Sequence, residues 1–158
     1  MTMKGRIARL AWVAIILIAL DQATKMIALS YLSFAQPVTV IPGLFNFTLV
    51  YNTGSAFSAF ADWESARWIL IVVSLVAVGL ALWLAGGRVG RGKAAQVALG
   101  LITGGAVGNL IDRVRLGKVV DFVDWHIGDL HWPVFNIADA GITVGAAYLG
   151  WLILKGRA

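Results

Sequence analysis

The sequence predicts a membrane all-α protein: four transmembrane helices, with a small outer-face β element between helices 1 and 2. Three observations predict this fold class. Of the 158 residues, 59% are hydrophobic and only 13% are charged, whereas soluble domains carry roughly 25% charged residues. The apolar residues form four long runs, and an alternating apolar–polar stretch lies between the first two. A chain this short buries only a modest core, so this much apolar sequence requires lipid as a second solvent.

The four apolar runs lie at about residues 10–32, 68–85, 94–111 and 135–154. Each run is close to the ~20 residues that a helix needs to cross a ~30 Å hydrocarbon core. The first run follows a basic start, as in a signal peptide, but no small-residue cleavage site follows its apolar core. We therefore expect a single integral membrane domain over residues 1–158, with outer loops at 36–60 and 112–134.

The charges predict the orientation of the four helices. The segments before run 1, between runs 2 and 3, and after run 4 hold 8 of the 13 basic residues and none of the 8 acidic ones. The positive-inside rule makes their side cytoplasmic, so both termini are expected there. The seven Trp residues lie near the ends of the runs, as in the aromatic belts of membrane proteins. The net charge of +5 is therefore a topology signal and does not indicate a nucleic-acid partner.

Small residues recur at four-residue intervals in the last two runs. Gly100, Gly104 and Gly108 lie in the third run, and Gly141 and Gly145 lie in the fourth. This spacing lets membrane helices approach each other closely. We expect the third and fourth helices to be close neighbours.

The two outer loops carry distinct patterns. In the first, Pro42-Gly43 is a turn signal, and the stretch from Phe45 to Asn52 alternates apolar and polar residues. We expect a small hairpin or sheet whose apolar face leans on the membrane or on the helices, because an isolated hairpin is marginal. The second loop, 112–134, concentrates acidic, aromatic and His residues, which is typical of the lip of an active site.

Asp139 lies in the apolar run that forms the fourth helix, near its outer end. Intramembrane carboxylates are costly and are functional by default, although an acid at a helix N-terminus is also stabilised by the macrodipole. Asn136 shares its helix face and is positioned to hydrogen-bond it. A second carboxylate nearby would form a proton-sharing pair for acid–base catalysis. The pattern alone leaves Asp121, Asp124 and Asp129 open as that partner.

Other polar residues near the predicted membrane surface have structural interpretations. Asp21 and Lys25 are four residues apart in the first run and are expected to form a structural ion pair. Asp112 and Arg113 are adjacent at the end of the third helix, so they should face different partners.

Several kinds of chemistry are not indicated. The chain has no Cys, which removes thiolate nucleophiles and Cys-based metal sites. It has neither a G-x-S-x-G nor an H-E-x-x-H motif. His126 and His131 are five residues apart in a loop with no obvious third ligand. We expect no metal and no cofactor.

Five short motifs are spread along the chain: DQATK (21–25), NTGSAF (52–57), GGAVGNLIDR (104–113), VVDF (119–122) and FNIADAGI (135–142). They resemble the motifs of lipoprotein signal peptidases (signal peptidase II), a family of bacterial membrane aspartic endopeptidases. The motifs are spread from residue 21 to residue 142, and the resemblance spans almost the whole length of the chain. One small variation is Ser55, where Ala is common in the family.

The resemblance implies that Asp121 and Asp139 are the catalytic pair. It further implies a set of residues that shape the site or contact substrate: Asp21, Lys25, Asn52, Gly54, Asn109, Asp112, Arg113, Asn136 and Ala138. The family cleaves prolipoproteins on the N-terminal side of a diacylglyceryl-modified cysteine. Its members are blocked by globomycin-type peptide antibiotics, and their outer β element forms a cradle on the bilayer. The expected setting is the bacterial inner membrane, with a monomer in contact with membrane lipids and its active site near the periplasmic face.

Two other classes of membrane protein fit the sequence less well. A small transporter or channel would use Asp21, Lys25 and Asp139 as a polar path, but the inner half of every run lacks charges. An assembly factor without chemistry would use the outer loops to bind partners. The two candidate acids together with the five motifs favour the protease.

Overall fold

The computed structural model describes residues 2–54 and 63–157, with the backbone alone for residues 63–66. Ser55 and the end of the predicted loop 36–60 lie outside the described residues. The elements are α1 (Met3–Tyr31), β1 (Pro37–Ile41), β2 (Phe45–Asn52), α2 (Trp63–Gly86), a 3-10 turn (Val89–Arg91), α3 (Lys93–Leu116), β3 (Val119–Ile127), β4 (Leu130–His131) and α4 (Ile137–Leu154).

Within the described residues, all four α-helices are long and apolar enough to cross a membrane. The predicted fold class is confirmed. The helices do not end where the apolar runs end: α1 begins at Met3 and α3 continues to Leu116, because a helix continues through polar residues at the membrane surface. Gly117 ends α3 in the left-handed conformation, with φ 75°, and its N–H donates to the Arg113 carbonyl at 3.1 Å. Asp112 and Arg113 therefore lie on the helix.

The helix α3 is central and packs against the other three helices. Gly145 of α4 faces α3 so closely that a Cβ there would lie 2.8 Å from the Ala98 backbone oxygen. The prediction that the third and fourth helices are close neighbours is therefore confirmed. Gly104 of α3, however, faces α1, where a Cβ would lie 2.9 Å from the Ala14 Cα atom. The glycines of α3 thus bring α1 close as well.

Gly145→Ala is expected to destabilise the bundle by about 1–3 kcal/mol, because the added methyl group would have to displace backbone. Gly150 of the same helix has open space beside it, and among the described residues a methyl group added there would meet no atom within 4 Å outside its own helix backbone. Gly150→Ala should therefore be neutral or slightly stabilising, since Ala is the better helix former. Thermal unfolding of both variants in one detergent checks this, and equal midpoints would contradict the packing argument.

The buried apolar core lies at the end of the bundle opposite the sheet. Its members come from all four helices: Leu10, Ala81, Ala85, Ala95, Ala98, Leu99, Leu149 and Leu152. The buried polar side chains concentrate toward the other end, which we call the sheet end, where α1 and α3 finish and α2 and α4 begin. Apolar packing thus holds the helices together at one end and leaves the other end for polar groups.

The β element is larger than predicted. It is one antiparallel sheet in the order β1-β2-β3-β4, so the second loop contributes two strands. The sequence did not indicate β3, because both faces of its first residues are buried and no alternation results. In the first loop the predicted Pro42-Gly43 turn is confirmed: Gly43 has φ 76°, and the Leu44 N–H donates to the Ile41 carbonyl at 3.1 Å.

The strand predicted from Phe45 to Asn52 is confirmed as β2, but its alternation is interrupted. The register with β3 shifts between Phe47 and Val50, and the most buried side chains are Asn46 and Leu49. The strand therefore does not present one continuous apolar face. Asn46 instead turns a polar side chain toward β3.

Candidate active site

The segment before α4 ties that helix to the sheet. The Val123 N–H donates to the Phe135 carbonyl at 2.8 Å, and the Phe135 N–H donates back to the Val123 carbonyl at 3.1 Å. Phe135 was expected to open the fourth helix, but it pairs with β3 and the helix begins at Ile137. This pairing fixes the N-terminus of α4 beside β3.

Asn136 is the N-cap of α4 and forms a capping box with Asp139. The Asp139 N–H donates to Asn136 Oδ1 at 2.9 Å, and the Asn136 N–H donates to Asp139 Oδ2 at 3.2 Å. Asp139 is the third residue of the helix, only ~3 Å along it at 1.5 Å per residue. Its carboxylate therefore lies at the positive end of the helix dipole, where negative charge is favoured.

Asn136 also reaches the second carboxylate. Its Nδ2 donates to Asp121 Oδ1 at 2.6 Å. Asn136 is 0% exposed and Asp121 is 1% exposed. One asparagine thus hydrogen-bonds Asp139 through its backbone and Asp121 through its side chain. The structure brings together the two aspartates that the sequence analysis paired, on β3 and on the first turn of α4.

Asn109 of α3 holds the other oxygen of Asp139. Its Nδ2 donates to Asp139 Oδ1 at 2.7 Å, and its Oδ1 accepts from Lys25 Nζ at 3.1 Å and from Asn136 Nδ2 at 3.1 Å. Because Lys25 can only donate, the amide of Asn109 has one possible orientation. Asp139 therefore receives a donor on each of its two oxygens.

Asp121 lies in a setting that opposes its ionisation. Burial, together with the nearby charge of Asp139, raises the pKa of Asp121 to about 7. Hydrogen bonds from Asn52 and Asn136 and the charge of Lys25 act in the opposite direction but do not outweigh burial. Asp121 thus keeps a proton to near-neutral pH.

Asn52 and Gly54 form a turn at the edge of the site. The Gly54 N–H donates to Asn52 Oδ1 at 2.9 Å, which leaves the Asn52 amide group free to donate to Asp121. Gly54 has φ 74°, a conformation that a side chain disfavours. A glycine at this position therefore orients Asn52 toward Asp121.

Asp124 and Asp129, the rival partners, lie elsewhere. Asp124 accepts from His131 Nδ1 at 2.7 Å, Thr48 Oγ1 at 3.0 Å and Asn46 Nδ2 at 3.3 Å. Burial opposes its ionisation, but these hydrogen bonds prevail and lower the pKa of Asp124. Asp129 is exposed in the turn after β3. Both oxygens of Asp124 are thus already engaged away from Asp139.

The predicted Asp21–Lys25 ion pair is present, and Lys25 has a second partner. Lys25 Nζ lies 2.9 Å from Asp21 Oδ2 and 2.8 Å from Asp112 Oδ2. The two carboxylates come from α1 and α3. All three side chains are almost fully buried.

Arg113 and Ala138 complete the predicted set. Arg113 is half-buried, and its guanidinium is attracted by Asp139, Asp121 and Asp112 in that order. Ala138 is 0% exposed, and a Cβ on Gly108 would lie 3.3 Å from its Cβ. A small residue at position 138 is therefore what lets α4 approach α3.

The sequence analysis missed Gln22 and Arg67. Gln22 Nε2 donates to Asp112 Oδ1 at 3.0 Å, and Arg67 donates to the Arg113 and Val114 carbonyls at 3.0 and 2.9 Å. Gln22 had a visible signal, because it is a polar residue within an apolar run. Arg67 had none, because its partners are backbone carbonyls distant in sequence.

A buried carboxylate and a half-buried one, both hydrogen-bonded to Asn136, can hold a single proton between them, because like charges at close range do not both ionise. One member can then accept a proton from water while the other donates one. The arrangement is therefore suited to general acid–base hydrolysis.

Comparison with known proteins identifies the family of this chain. Residues 13–155 match the model of the family described as Signal peptidase (SPase) II. The lipoprotein signal peptidase of Pseudomonas putida is 44% identical over 161 residues, covering 97% of this chain and 92% of that protein. The lipoprotein signal peptidase of Hydrogenovibrio crunogenus is 44% identical over 142 residues, covering 87% and 80% of the two chains.

Two solved structures share the fold. Both are described as bacterial membrane enzymes, each with a TM-score of 0.83, at 30% and 29% identity. The first covers 94% of both chains, and the second covers 96% of this chain and 91% of its own. The four membrane-capable helices, the sheet and the family match make this a multi-pass bacterial membrane protein. The chain belongs to the signal peptidase II family of proteases.

Proposed function

We propose that this protein is an aspartic endopeptidase that removes signal peptides from prolipoproteins, cleaving on the N-terminal side of a diacylglyceryl-modified cysteine. The observation that carries the proposal is the junction of Asp121 and Asp139 through Asn136. The substrate class is supported by the relatives, which are named lipoprotein signal peptidases. The site requires no cofactor for this reaction, since two carboxyl groups and a water molecule suffice.

The two aspartates take different roles in this reaction. Asp139, at the helix N-terminus with donors on both oxygens, is the ionised member and accepts a proton from the attacking water. Asp121 holds the shared proton and gives it to the scissile carbonyl oxygen, forming a tetrahedral diol. Asp139 then protonates the leaving nitrogen, while Asp121 recovers a proton from the diol as the C–N bond breaks. Arg113 offsets the negative charge of the pair from α3.

The site lies near the outer face of the bacterial inner membrane, with both termini in the cytoplasm. Support comes from the charge distribution, since the 8 basic residues of the terminal and middle segments all lie at the end opposite the sheet. The side chains of β1 are all exposed, with Val38 at 49%, which suits a cradle that rests on lipid. The acyl chains of the substrate then hold the scissile bond at the depth of Asp139. Globomycin-type peptides would block the enzyme, a monomer, by occupying the aspartate pair.

The substrate class is tested with two forms of one precursor, lipidated and unlipidated. The purified protein in lipid is expected to cleave the lipidated form at least ~100-fold faster, because the lipid anchor supplies much of the orientation of the bond. The Asp139→Asn variant serves as the control for contaminating proteases. Equal cleavage of the two precursors would contradict the proposal.

The pH dependence of cleavage follows from Asp121. Its raised pKa keeps the one-proton pair intact below about pH 7, and the pair loses its proton as the pH rises through that value. The profile of kcat/KM is therefore expected to fall on the alkaline side with a midpoint near 7. Asn52→Ala should move this midpoint upward, because the lost hydrogen bond favoured the ionised form. Asp124→Asn should leave the midpoint unchanged. If Asp124→Asn shifted the midpoint as much as Asn52→Ala does, the assignment of the midpoint to Asp121 would be contradicted.

A further inference from the structure

Lys25 lies at the centre of a buried ion cluster that joins two helices. Its ammonium contacts Asp21 of α1 at 2.9 Å and Asp112 of α3 at 2.8 Å. Lys25 is 2% exposed, Asp21 is 0% exposed and Asp112 is 4% exposed. A buried cluster of this kind costs desolvation free energy and is weak evidence for stability. Its position relative to the aspartate pair indicates a different use.

Each carboxylate of the cluster holds the backbone next to one member of the aspartate pair. Asp21 Oδ1 accepts from the Ala138 N–H at 2.9 Å, and Ala138 directly precedes Asp139. Asp112 Oδ2 accepts from the Val120 N–H at 3.1 Å, and Val120 directly precedes Asp121. The Lys25 ammonium therefore links the backbone beside Asp139 to the backbone beside Asp121.

Gln22 closes the same cluster from α1. Its Nε2 lies 3.2 Å from Asp21 Oδ2, 3.0 Å from Asp112 Oδ1 and 3.2 Å from the Gly108 carbonyl oxygen. Gly108 leaves room for this junction, because a Cβ there would lie 2.7 Å from Asp21 Oδ2. Gln22 thus holds both carboxylates in the orientation in which they reach the two backbone N–H groups.

We propose that Gln22, Lys25, Asp21 and Asp112 form a positioning brace that fixes the separation of the two catalytic carboxylates. The three charged members are almost fully buried, so they do not touch substrate and act on the pair through the hydrogen bonds that they make. The inference rests on the proposed peptidase function, in which the brace positions the catalytic pair and other groups contact substrate. It also assigns a role to Gln22, whose side chain reaches neither aspartate of the pair.

The brace has a geometric effect and an electrostatic effect that can be measured separately. All four residues affect the geometry, because each contributes a bond between the helices. Lys25 also places a positive charge near the pair, which lowers the pKa of Asp121 against the effects of burial and of Asp139. Loss of Gln22 should therefore change rate alone, whereas loss of Lys25 should change both rate and pH dependence.

Gln22→Met tests the geometric effect, because it keeps length and removes the donors. We expect kcat on the lipidated precursor to fall about 10–100-fold with KM within about twofold of wild type, since small misplacements of catalytic groups carry penalties of this size. Ser30→Ala is the matched control on α1, because its hydroxyl is exposed and donates to the Met26 carbonyl of its own helix at 2.9 Å. The control should keep wild-type kcat. An unchanged kcat in Gln22→Met, or a raised KM with kcat intact, would overturn the brace.

Amide hydrogen exchange provides a readout that does not depend on catalysis. In Gln22→Met, peptides covering Val120 and Ala138 should exchange faster, while peptides from the core end of α4 should not change. Unchanged exchange at both amides would overturn the brace even if activity fell. If wild-type protein cleaves no lipidated precursor, the proposed function fails while the exchange result still decides on the brace.

Lys25→Met tests the electrostatic effect. The alkaline midpoint of the kcat/KM profile should move to higher pH, whereas Gln22→Met should leave it at the wild-type position. An unshifted midpoint in Lys25→Met with measurable residual activity would refute this part. If Lys25→Met does not fold, the double variant Lys25→Gln with Asp112→Asn removes one of the two buried carboxylates that lose their cation, and the same shift is expected in that variant.

Discussion

Asp139→Asn and Asp121→Asn are each expected to abolish cleavage of a diacylglyceryl-modified precursor, lowering kcat by at least ~10³-fold. An amide at position 139 cannot accept the proton of the attacking water. An amide at position 121 has no acidic proton to give to the carbonyl oxygen. Neither change alters side-chain volume appreciably, so both variants should insert and fold. Quantitative cleavage assays at matched protein concentration check this result.

Asp124→Asn is the matched control for the aspartate pair. It makes the same chemical change on the same strand, but its carboxylate bonds His131, Thr48 and Asn46 and not the pair. Most activity should remain. Near-wild-type turnover by Asp139→Asn or Asp121→Asn would contradict the assignment of these two residues as the catalytic pair. If Asp124→Asn were inactive while Asp121→Asn remained active, Asp124 would be the partner of Asp139.

The helices were predictable because lipid imposes a single requirement on them, a run of ~20 apolar residues. Their ends were not, because polar helix surface at Asp112 and Arg113 carries no such signal. The strand β3 escaped prediction for a related reason. Val119, Val120, Asp121 and Phe122 are all buried, and alternation appears only where one face of a strand meets solvent.

The site was partly predictable. Asp139 and Asn136 stand out as polar residues at helical spacing in an apolar run. Asp121 and Asp124 could not be separated by spacing, because only the sheet register distinguishes them: Asp121 pairs with Val50, whereas Asp124 pairs with Asn46. The family resemblance favoured Asp121, and the strand pairing supports that choice, because it places Asp124 in a separate polar network. One face of β3 turns toward α4, and the other carries its own polar network.

Long-range partners were beyond sequence reasoning. The pairing of Lys25 with Asp21 follows from helical spacing, but its contact with Asp112 depends on how α1 packs against α3. Glycines at positions 104 and 108 decide that packing, and their targets on α1 became visible only in three dimensions. The brace therefore emerges from tertiary structure, although three of its four members were already recognised as polar residues near the membrane.

Asn136→Ala is expected to lower both stability and activity, because this side chain has two separate functions. As N-cap of α4 it accepts the Asp139 N–H, and loss of such a cap costs about 0.5–2 kcal/mol. As a donor it bonds Asp121 at 2.6 Å, and without that bond the aspartate pair loses its bridge. We expect kcat to fall ~10²–10³-fold, in line with the loss of a group that orients catalytic side chains.

Asn136→Ser separates the two functions of this residue. Serine is a good N-cap, so thermal stability should return close to that of wild type. Its short hydroxyl cannot span the distance that the asparagine amide covers to Asp121, so activity should stay low. Removal of the bond to Asp121 should also move the alkaline midpoint of the residual activity upward, because that bond lowers the pKa of Asp121. If Asn136→Ser restored stability and activity together, Asn136 would be only a helix cap, and the bridge between the two carboxylates would have no part in catalysis.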